Sequence, residues 1–255
     1  MRLQTDDIGF GGYKLIQDGD AFKYGVDAVL LADFSVCAPG ERVMELGSGN
    51  GVVPLIIKAK YGPAYIGGVE KQPGAFELAA ENARINGLEG CVEFFNVDVL
   101  DVPKRFDAAS FDLVCSNPPY MEKGCALVNP QSAKQIARHE SSAGLADFMK
   151  AAAYLLKPGG RLAMVHRPFR LPDIICMARE EGLEPKKMRL VVPHPGEAPN
   201  IVLMQFVKGA GKELEVMPSL CIRDVNGNYT EELRAIIVEN TIKTAPCGAV
   251  FVSFD

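Results

Sequence analysis

Glu45-Leu-Gly-Ser-Gly-Asn-Gly51 joins an apolar run, residues 42–46 (Arg-Val-Met-Glu-Leu), to residues 52–60, where helix-forming residues fall at helical spacing. The order is strand, glycine-rich turn, helix. The glycines let the backbone turn sharply and approach a ligand closely, and the first amides of the helix point at that ligand. Alone the loop is ambiguous, because dinucleotide-binding proteins and plain tight turns use the same spacing.

Working outward, the same unit recurs. Residues 65–70 (Tyr-Ile-Gly-Gly-Val-Glu) read as a strand, and 74–86 as an alanine- and glutamate-rich helix closed by Gly87. Residues 92–97 make a third strand, and 111–116 a fourth that runs into Asn117-Pro-Pro-Tyr120. A helix over 145–156, stopped by Lys157-Pro-Gly-Gly160, feeds a fifth strand over 161–165. Strands alternating with helices predict an open, mostly parallel sheet covered on both faces. After a helix over 171–181, segments 186–192 and 200–207 flank the proline-rich turn His194-Pro-Gly-Glu-Ala-Pro199 and predict an antiparallel pair at the sheet edge. The expected fold class is therefore α/β, a seven-stranded sheet with an antiparallel edge hairpin and helices on both faces. Before it, residues 22–32 have the spacing of a helix whose start lies over the ligand. Beyond it, Asp224-Val-Asn-Gly-Asn-Tyr229 reads as a turn and 231–239 as a short helix. The division expected is an N-terminal extension over 1–40, a catalytic domain over 41–208 and a C-terminal extension over 209–255 with no assigned role.

With 255 residues, 48% of them hydrophobic, the chain buries one substantial core without help from metal or disulfides. Its seven cysteines, at 37, 91, 115, 125, 176, 221 and 247, form neither a CxxC pair nor a Cys/His group at zinc spacing. Reduced thiols in a cytoplasmic protein and no metal cofactor are the expectation. No apolar run reaches the ~20 residues needed to span a bilayer, and the first twelve residues are polar and glycine-rich. The net charge of −5 denies the chain an overall positive field, so a nucleic-acid substrate would have to be held by a local basic patch.

Two carboxylates strengthen the reading of the glycine loop. Glu70 closes the second strand roughly twenty residues on, where a carboxylate can accept both hydroxyls of a ribose. Asp98 ends the third strand region, in reach of an adenine amine. Three such features at the carboxyl ends of three successive strands fall where open α/β sheets bind ligands. Against this, Glu70 also fits a solvated strand end, and Asp98 a cap or turn residue. With these motifs the chain resembles the class I methyltransferases, which are Rossmann-like. The resemblance implies S-adenosyl-L-methionine as cofactor, its amino-acid part on Gly47, Ser48, Gly49, Asn50 and Gly51, with Glu45 close to the methionine moiety. It places the ribose on Glu70 and the adenine on Asp98, and Lys71, Val99 and Asn117 complete the expected cofactor set.

Asn117, Pro118, Pro119 and Tyr120 are the expected catalytic residues. Two prolines after a buried strand hold the chain extended and leave their carbonyls free to accept hydrogen bonds. An exocyclic adenine nitrogen is a poor nucleophile because its lone pair is delocalised into the ring. Hydrogen bonds from its N–H groups to the Asn117 side-chain oxygen and the Pro118 carbonyl would favour a more tetrahedral nitrogen, with Tyr120 stacked on the ring. Transfer then needs positioning above all, with no strong general base. Asn-Pro-Pro-Tyr resembles the acceptor motif of amino methyltransferases acting on adenine, cytosine or the side-chain amide of glutamine.

Length, the helix over 22–32, the tetrapeptide, Ala137-Arg-His-Glu140 and the closing strand pair together resemble the bacterial valine-tRNA adenine-N6-methyltransferase family over residues 5–207. That resemblance implies N6-methylation of an adenine beside the anticodon of valine tRNA. Without an appended RNA-binding domain, the catalytic domain itself would grip the RNA, and Lys134, Arg138, His139, Arg167 and Arg170 are the expected contacts. His166 and the group Lys186, Lys187 and Arg189 are further basic candidates. Two other readings stay open. One is a glutamine N5-methyltransferase acting on a release factor or ribosomal protein, which would carry a separate N-terminal helical domain for which residues 1–46 leave little room. The other is a non-catalytic methyltransferase-fold subunit. Monomer and homodimer are both open.

Overall fold

A computed structural model describes residues 3–18, 25–120 and 143–237. Strands β1 (Leu3–Asp7) and β2 (Lys14–Asp18) form an antiparallel hairpin of their own. Helix α1 (Val26–Phe34) leads to β3 (Arg42–Leu46), α2 (Val52–Tyr61), β4 (Tyr65–Val69), α3 (Pro73–Ile85) and β5 (Val92–Phe95). A 3-10 turn over Val99–Asp101 runs into the short α4 (Val102–Arg105), and β6 (Phe111–Ser116) follows. Then come α5 (Leu145–Leu155), β7 (Leu156–His166), α6 (Leu171–Glu180), β8 (Leu183–Val192) and β9 (Ile201–Lys208). The tail adds β10 (Glu215–Val216), β11 (Leu220–Cys221) and α7 (Glu231–Ile237).

The main sheet runs β10-β8-β9-β7-β6-β3-β4-β5, with β11 also on β8. Only β9 is antiparallel to its neighbours β7 and β8. The central strands are apolar throughout because both their faces are covered, as in β3, whose last four residues are all buried. One core packs Leu30 and Leu31 of α1 and Leu55, Ile56 and Ile57 of α2 against one face. A second packs Phe148 and Met149 of α5 and Ile174 of α6 against the other.

The seven expected strands are all present, and three details differ from the expectation. Strand β7 begins at Leu156, because Leu156 pairs with Phe111 and Arg161 with Leu113, so Lys157-Pro-Gly-Gly160 is a bulge inside a strand and not a turn before one. The antiparallel pair does not form the edge. Its outer strand, β8, would leave a row of unpaired backbone groups, and β10 and β11 cover it. The glycine-rich N-terminus carries the β1–β2 hairpin, which is seated on α3 through two asparagines one helical turn apart. Asn82 Oδ1 accepts from the Ile16 amide at 2.6 Å while its Nδ2 donates to the Ile16 carbonyl at 3.0 Å. Asn86 makes the same pair of bonds to Lys14, both at 2.7 Å.

The tail folds back on the body. Leu233 of α7 is fully buried, and Lys60 Nζ donates both to the Ile236 carbonyl at 3.0 Å and to Asp33 Oδ1 at 2.6 Å.

Candidate active site

Register brings the motifs together. Leu46, the last residue of β3, is the Cα partner of Val69 on β4 and of Ser116 on β6. The next residue of each strand, Gly47, Glu70 and Asn117, therefore emerges side by side. The Ser116 hydroxyl donates to the Leu46 carbonyl at 2.8 Å, which fixes the exit of β6 against that of β3. With strands in the order β6-β3-β4-β5, the chain winds outward in opposite senses from β3, and the crevice at that switch point is where open α/β sheets take ligands.

A cavity of about 560 Å³ opens there, lined by Gly47, Glu70, Lys71, Asp98, Val99 and the whole Asn117–Tyr120 tetrapeptide. Val69, Gln72, Pro73, Val97 and Phe148 complete the wall. None of these five carries a titratable or motif signal in the sequence. Phe148 could only have been found from the helical spacing of α5, which turns it toward the glycine loop. Of the expected cofactor set, Glu45, Ser48, Gly49, Asn50 and Gly51 are not among the residues that line this cavity.

Hydrogen bonds hold the glycine loop in place. The Glu70 carboxylate accepts from the Gly49 amide at 2.9 Å through Oε2 and from the Gln72 amide at 2.8 Å through Oε1. It thus clamps the glycine loop while still reaching the cavity. Asp98 acts as a cap, its Oδ1 accepting from the Leu100 amide at 3.1 Å, while its Oδ2 pairs with Lys71 Nζ at 2.8 Å at the cavity wall. Asn82 Nδ2 donates to the Asn50 carbonyl at 3.0 Å, tying the loop to α3. Gly51 has φ +82°, and a Cβ there would stand 2.6 Å from Phe94 Cζ, so only glycine fits.

Glu45 is 2% exposed, and its Oε2 has no hydrogen-bond partner among the described residues. Burial first, and the neighbouring Glu70 second, push its carboxyl well above the usual carboxylate range. A raised carboxyl is held neutral at this buried position at the head of the glycine loop, which lowers the cost of burying it.

Tyr120 is held from several sides. Its hydroxyl donates to Asp27 Oδ2 at 2.7 Å, in the first turn of α1. The Arg167 guanidinium lies 4.6 Å from its ring centroid, and the His166 ring meets it edge-on at 5.1 Å. Burial first, and the Asp27 carboxylate next, push the Tyr120 phenol well above its usual range, so it remains a hydrogen-bond donor at all physiological pH. His166 is buried and pushed down to about 4, by burial first and by the Arg170 charge next. Its Nδ1 accepts from the Arg167 amide at 2.8 Å and its Nε2 has no partner among the described residues.

The basic clusters fare differently. Arg167 stays beside the site, donating to the Asn200 carbonyl at 2.9 Å. Arg170 is corrected: it is 7% exposed and paired with Asp173 at 2.8 Å, and a buried, ion-paired guanidinium is not placed to contact a phosphate. Neutral, buried His166 is likewise no phosphate contact. Lys186, Lys187 and Arg189 are turned toward the tail, on the Gly211 carbonyl, Glu215 and Glu232. Lys134, Arg138 and His139 lie outside the described residues. Among the described residues no group of three His, Cys, Asp or Glu could hold a metal ion, and no helix is long and apolar enough to cross a membrane.

A family model described as the methyltransferase small domain matches residues 24–177. A tRNA1(Val) (adenine(37)-N6)-methyltransferase of Tolumonas auensis is 28% identical over 231 residues, covering 90% of this chain and 94% of the relative. A protein of the same description from Porphyromonas gingivalis is 28% identical over 239 residues, covering 90% and 92%. Among solved structures, that of a predicted O-methyltransferase from Agrobacterium tumefaciens superposes with a TM-score of 0.67 at 21% identity, covering 83% of this chain and 97% of the other.

Proposed function

We propose, from the premise that this chain belongs to the methyltransferase small domain family, that it methylates the N6 amine of an adenine in tRNA, the anticodon-adjacent adenosine of valine tRNA being the substrate the relatives point to. The chain is a methyltransferase and S-adenosyl-L-methionine is its methyl donor. The observation that carries the reading is the shared cavity, which is lined both by Gly47, Glu70 and Asp98 and by Asn117–Tyr120.

The bound cofactor supplies an electrophilic methyl group on a sulfonium. Glu70 and Asp98 would hold its ribose and adenine, and Gly47 with the glycine loop would hold its amino-acid end, Glu45 standing buried at the head of that loop. Asn117 and Pro118 accept the N–H groups of the target amine, orienting the nitrogen lone pair toward the methyl carbon, and Tyr120 packs on the base. No side chain here acts as a strong base, and none is needed, because a methylated exocyclic amine cation is acidic enough to lose its proton to water. A base in a tRNA loop is already partly unstacked, which lowers the cost of bringing it into the cavity. Arg167 is the described basic residue best placed to meet the surrounding RNA, and Lys134, Arg138 and His139 follow the acceptor loop in sequence. In this reading the protein works in the cytoplasm.

Incubating the protein with labelled S-adenosyl-L-methionine and tRNA from cells lacking the protein tests the assignment. Label in N6-methyladenosine of valine tRNA is the expected result. Label appearing in a release factor and not in tRNA would overturn it in favour of glutamine methylation, and failure to bind the cofactor would favour a scaffold role.

A further inference from the structure

At the carboxyl edge of the sheet a large apolar side chain stands in water. Phe169 is 70% exposed, more than any other aromatic residue among those described. Single exposed apolar residues are ordinary, and Val216 and Val225 of the tail are such a case. Phe169 differs from them in its place and its support. Strands β6 and β7 run parallel and leave the sheet together, Ser116 being the Cα partner of Met164. The acceptor tetrapeptide follows the one and Arg167 the other, and the Arg167 guanidinium lies 4.6 Å from the Tyr120 ring centroid. Phe169 comes two residues later, so its Cα is within about 7 Å of that of Arg167. The turn that carries it is braced. Pro168 fixes its own φ, and the Arg170 amide donates to the Arg167 carbonyl at 3.1 Å. The Arg170 side chain is buried and paired with Asp173 at 2.8 Å, and Leu171 packs on the second core. A turn anchored on both sides thus holds an aromatic ring out of the core, beside the acceptor loop.

We propose that Phe169 is a stacking site for the base of a nucleotide adjoining the target adenosine in the tRNA. The inference rests on the reading of tRNA as the substrate. Drawing an adenine into the cavity takes it from between its neighbours, and each neighbour is left with an uncovered face. Unstacked bases are met in RNA recognition by aromatic rings, and the contact is tolerant of sequence because every base has a π-face. A chain with a net charge of −5 has no general attraction for RNA, so contacts near the cavity must hold the strand. Arg167 supplies positive charge at this spot, and the Asp173 carboxylate is already taken up by Arg170. Because the turn is fixed beforehand, docking a base on the ring orders little that was free.

Binding and kinetics with unmodified valine tRNA test the proposal. Phe169→Ala should weaken tRNA binding and raise the KM for tRNA roughly 5- to 100-fold, the range of one base–aromatic stack. The Tm and the Kd for S-adenosyl-L-methionine should not change. Phe169→Trp keeps a ring and should recover binding, whereas Phe169→Leu keeps only apolar bulk and should not. An abasic residue in place of the 5′ or the 3′ neighbour of the target adenosine removes the other half of the contact. On the stacking side it should weaken binding to the wild-type protein and cost Phe169→Ala nothing further, because both changes delete one interaction. Additive losses on both sides would overturn the proposal, as would full recovery by leucine. If Phe169→Ala alters sedimentation while tRNA binding is intact, the ring serves contact between copies of the chain and the proposal is likewise overturned. If the wild-type protein methylates tRNA and Phe169→Ala does so equally well, the stacking claim fails alone. If the wild-type protein leaves tRNA unlabelled, the substrate reading falls and the stacking claim falls with it.

Discussion

Glu70 and His166 show how a single residue's environment sets what it can do. Glu70 braces the glycine loop with the same carboxylate that faces the cavity, so Glu70→Ala should cost cofactor affinity twice over, through the ribose contact proposed for it and through the Gly49 and Gln72 amides it now satisfies. A loss of at least ~100-fold in Kd, read by isothermal titration with S-adenosylhomocysteine, is expected for two charge-assisted hydrogen bonds. Glu70→Gln keeps one acceptor oxygen and should fall in between. His166 makes a pH prediction. Its folded value of about 4 lies below the ordinary value of 6.5, so the unfolded chain binds the extra proton first. Stability from this residue is fully present above pH 6.5 and is lost as the pH falls toward 4, by up to ~3 kcal/mol. Thermal melts between pH 7 and 4 should show a steep acid decline that His166→Gln flattens, and an equal decline in both proteins would contradict the assignment. The residues of the motifs were legible in the sequence because each sits at a strand end with a recognisable partner. Asp27 was not, because nothing local distinguishes it from any acid at a helix start, and its partner lies 93 positions away. The burial of Arg170 was equally hidden, since its partner Asp173 reads on paper as an ordinary helix acid.

At the scale of elements, the order of strands and helices followed from periodicity, and the hairpin β1–β2 escaped it. Its strands, Leu-Gln-Thr-Asp-Asp and Lys-Leu-Ile-Gln-Asp, are polar and short, and an isolated hairpin of that kind is marginal in water. What holds it is tertiary: Asn82 and Asn86 present to β2 the donor and acceptor pairs that a neighbouring strand would offer. The bulge in β7 escaped for a related reason, because Lys-Pro-Gly-Gly is a turn signal that pairing with β6 overrides. Since Asn82 is fully buried and bonds both Ile16 and the Asn50 carbonyl, Asn82→Ala should destabilise the protein by ~1–3 kcal/mol and weaken cofactor binding besides. Asn86→Ala, further out and without a bond to the loop, should release the hairpin while sparing the cofactor. Amide exchange at Ile16 and Lys14 measures the first effect in both variants, and cofactor titration the second. Equal loss of affinity in the two would show that the hairpin itself, and not the Asn82–Asn50 bond, supports the loop.

Over the whole molecule, the tail reaches the active site through α1. Helix α7 packs on α1 and β11 with Leu233 fully buried, Lys60 bonds the Ile236 carbonyl and Asp33 of α1, and Arg189 pairs with Glu232. Since the opposite end of α1 carries Asp27, the docking of the tail and the orientation of the acceptor loop share one rigid element. Leu233→Ala should therefore cost ~2–5 kcal/mol of stability, the usual range for a leucine deleted from a packed core. The consequence for catalysis depends on how far the disturbance travels. If α1 moves as a unit, Leu233→Ala should lower kcat for tRNA methylation at temperatures well below its Tm and leave the Kd for S-adenosyl-L-methionine unchanged, because Glu70, Asp98 and the glycine loop hang on β3, β4 and β5 and not on α1. Chemical denaturation gives the stability, and initial rates at low temperature, with the folded fraction held near unity, give kcat. A variant that is destabilised yet turns over at the wild-type rate would show that β6 and Arg167 suffice to hold Tyr120 once α1 is loosened at its far end.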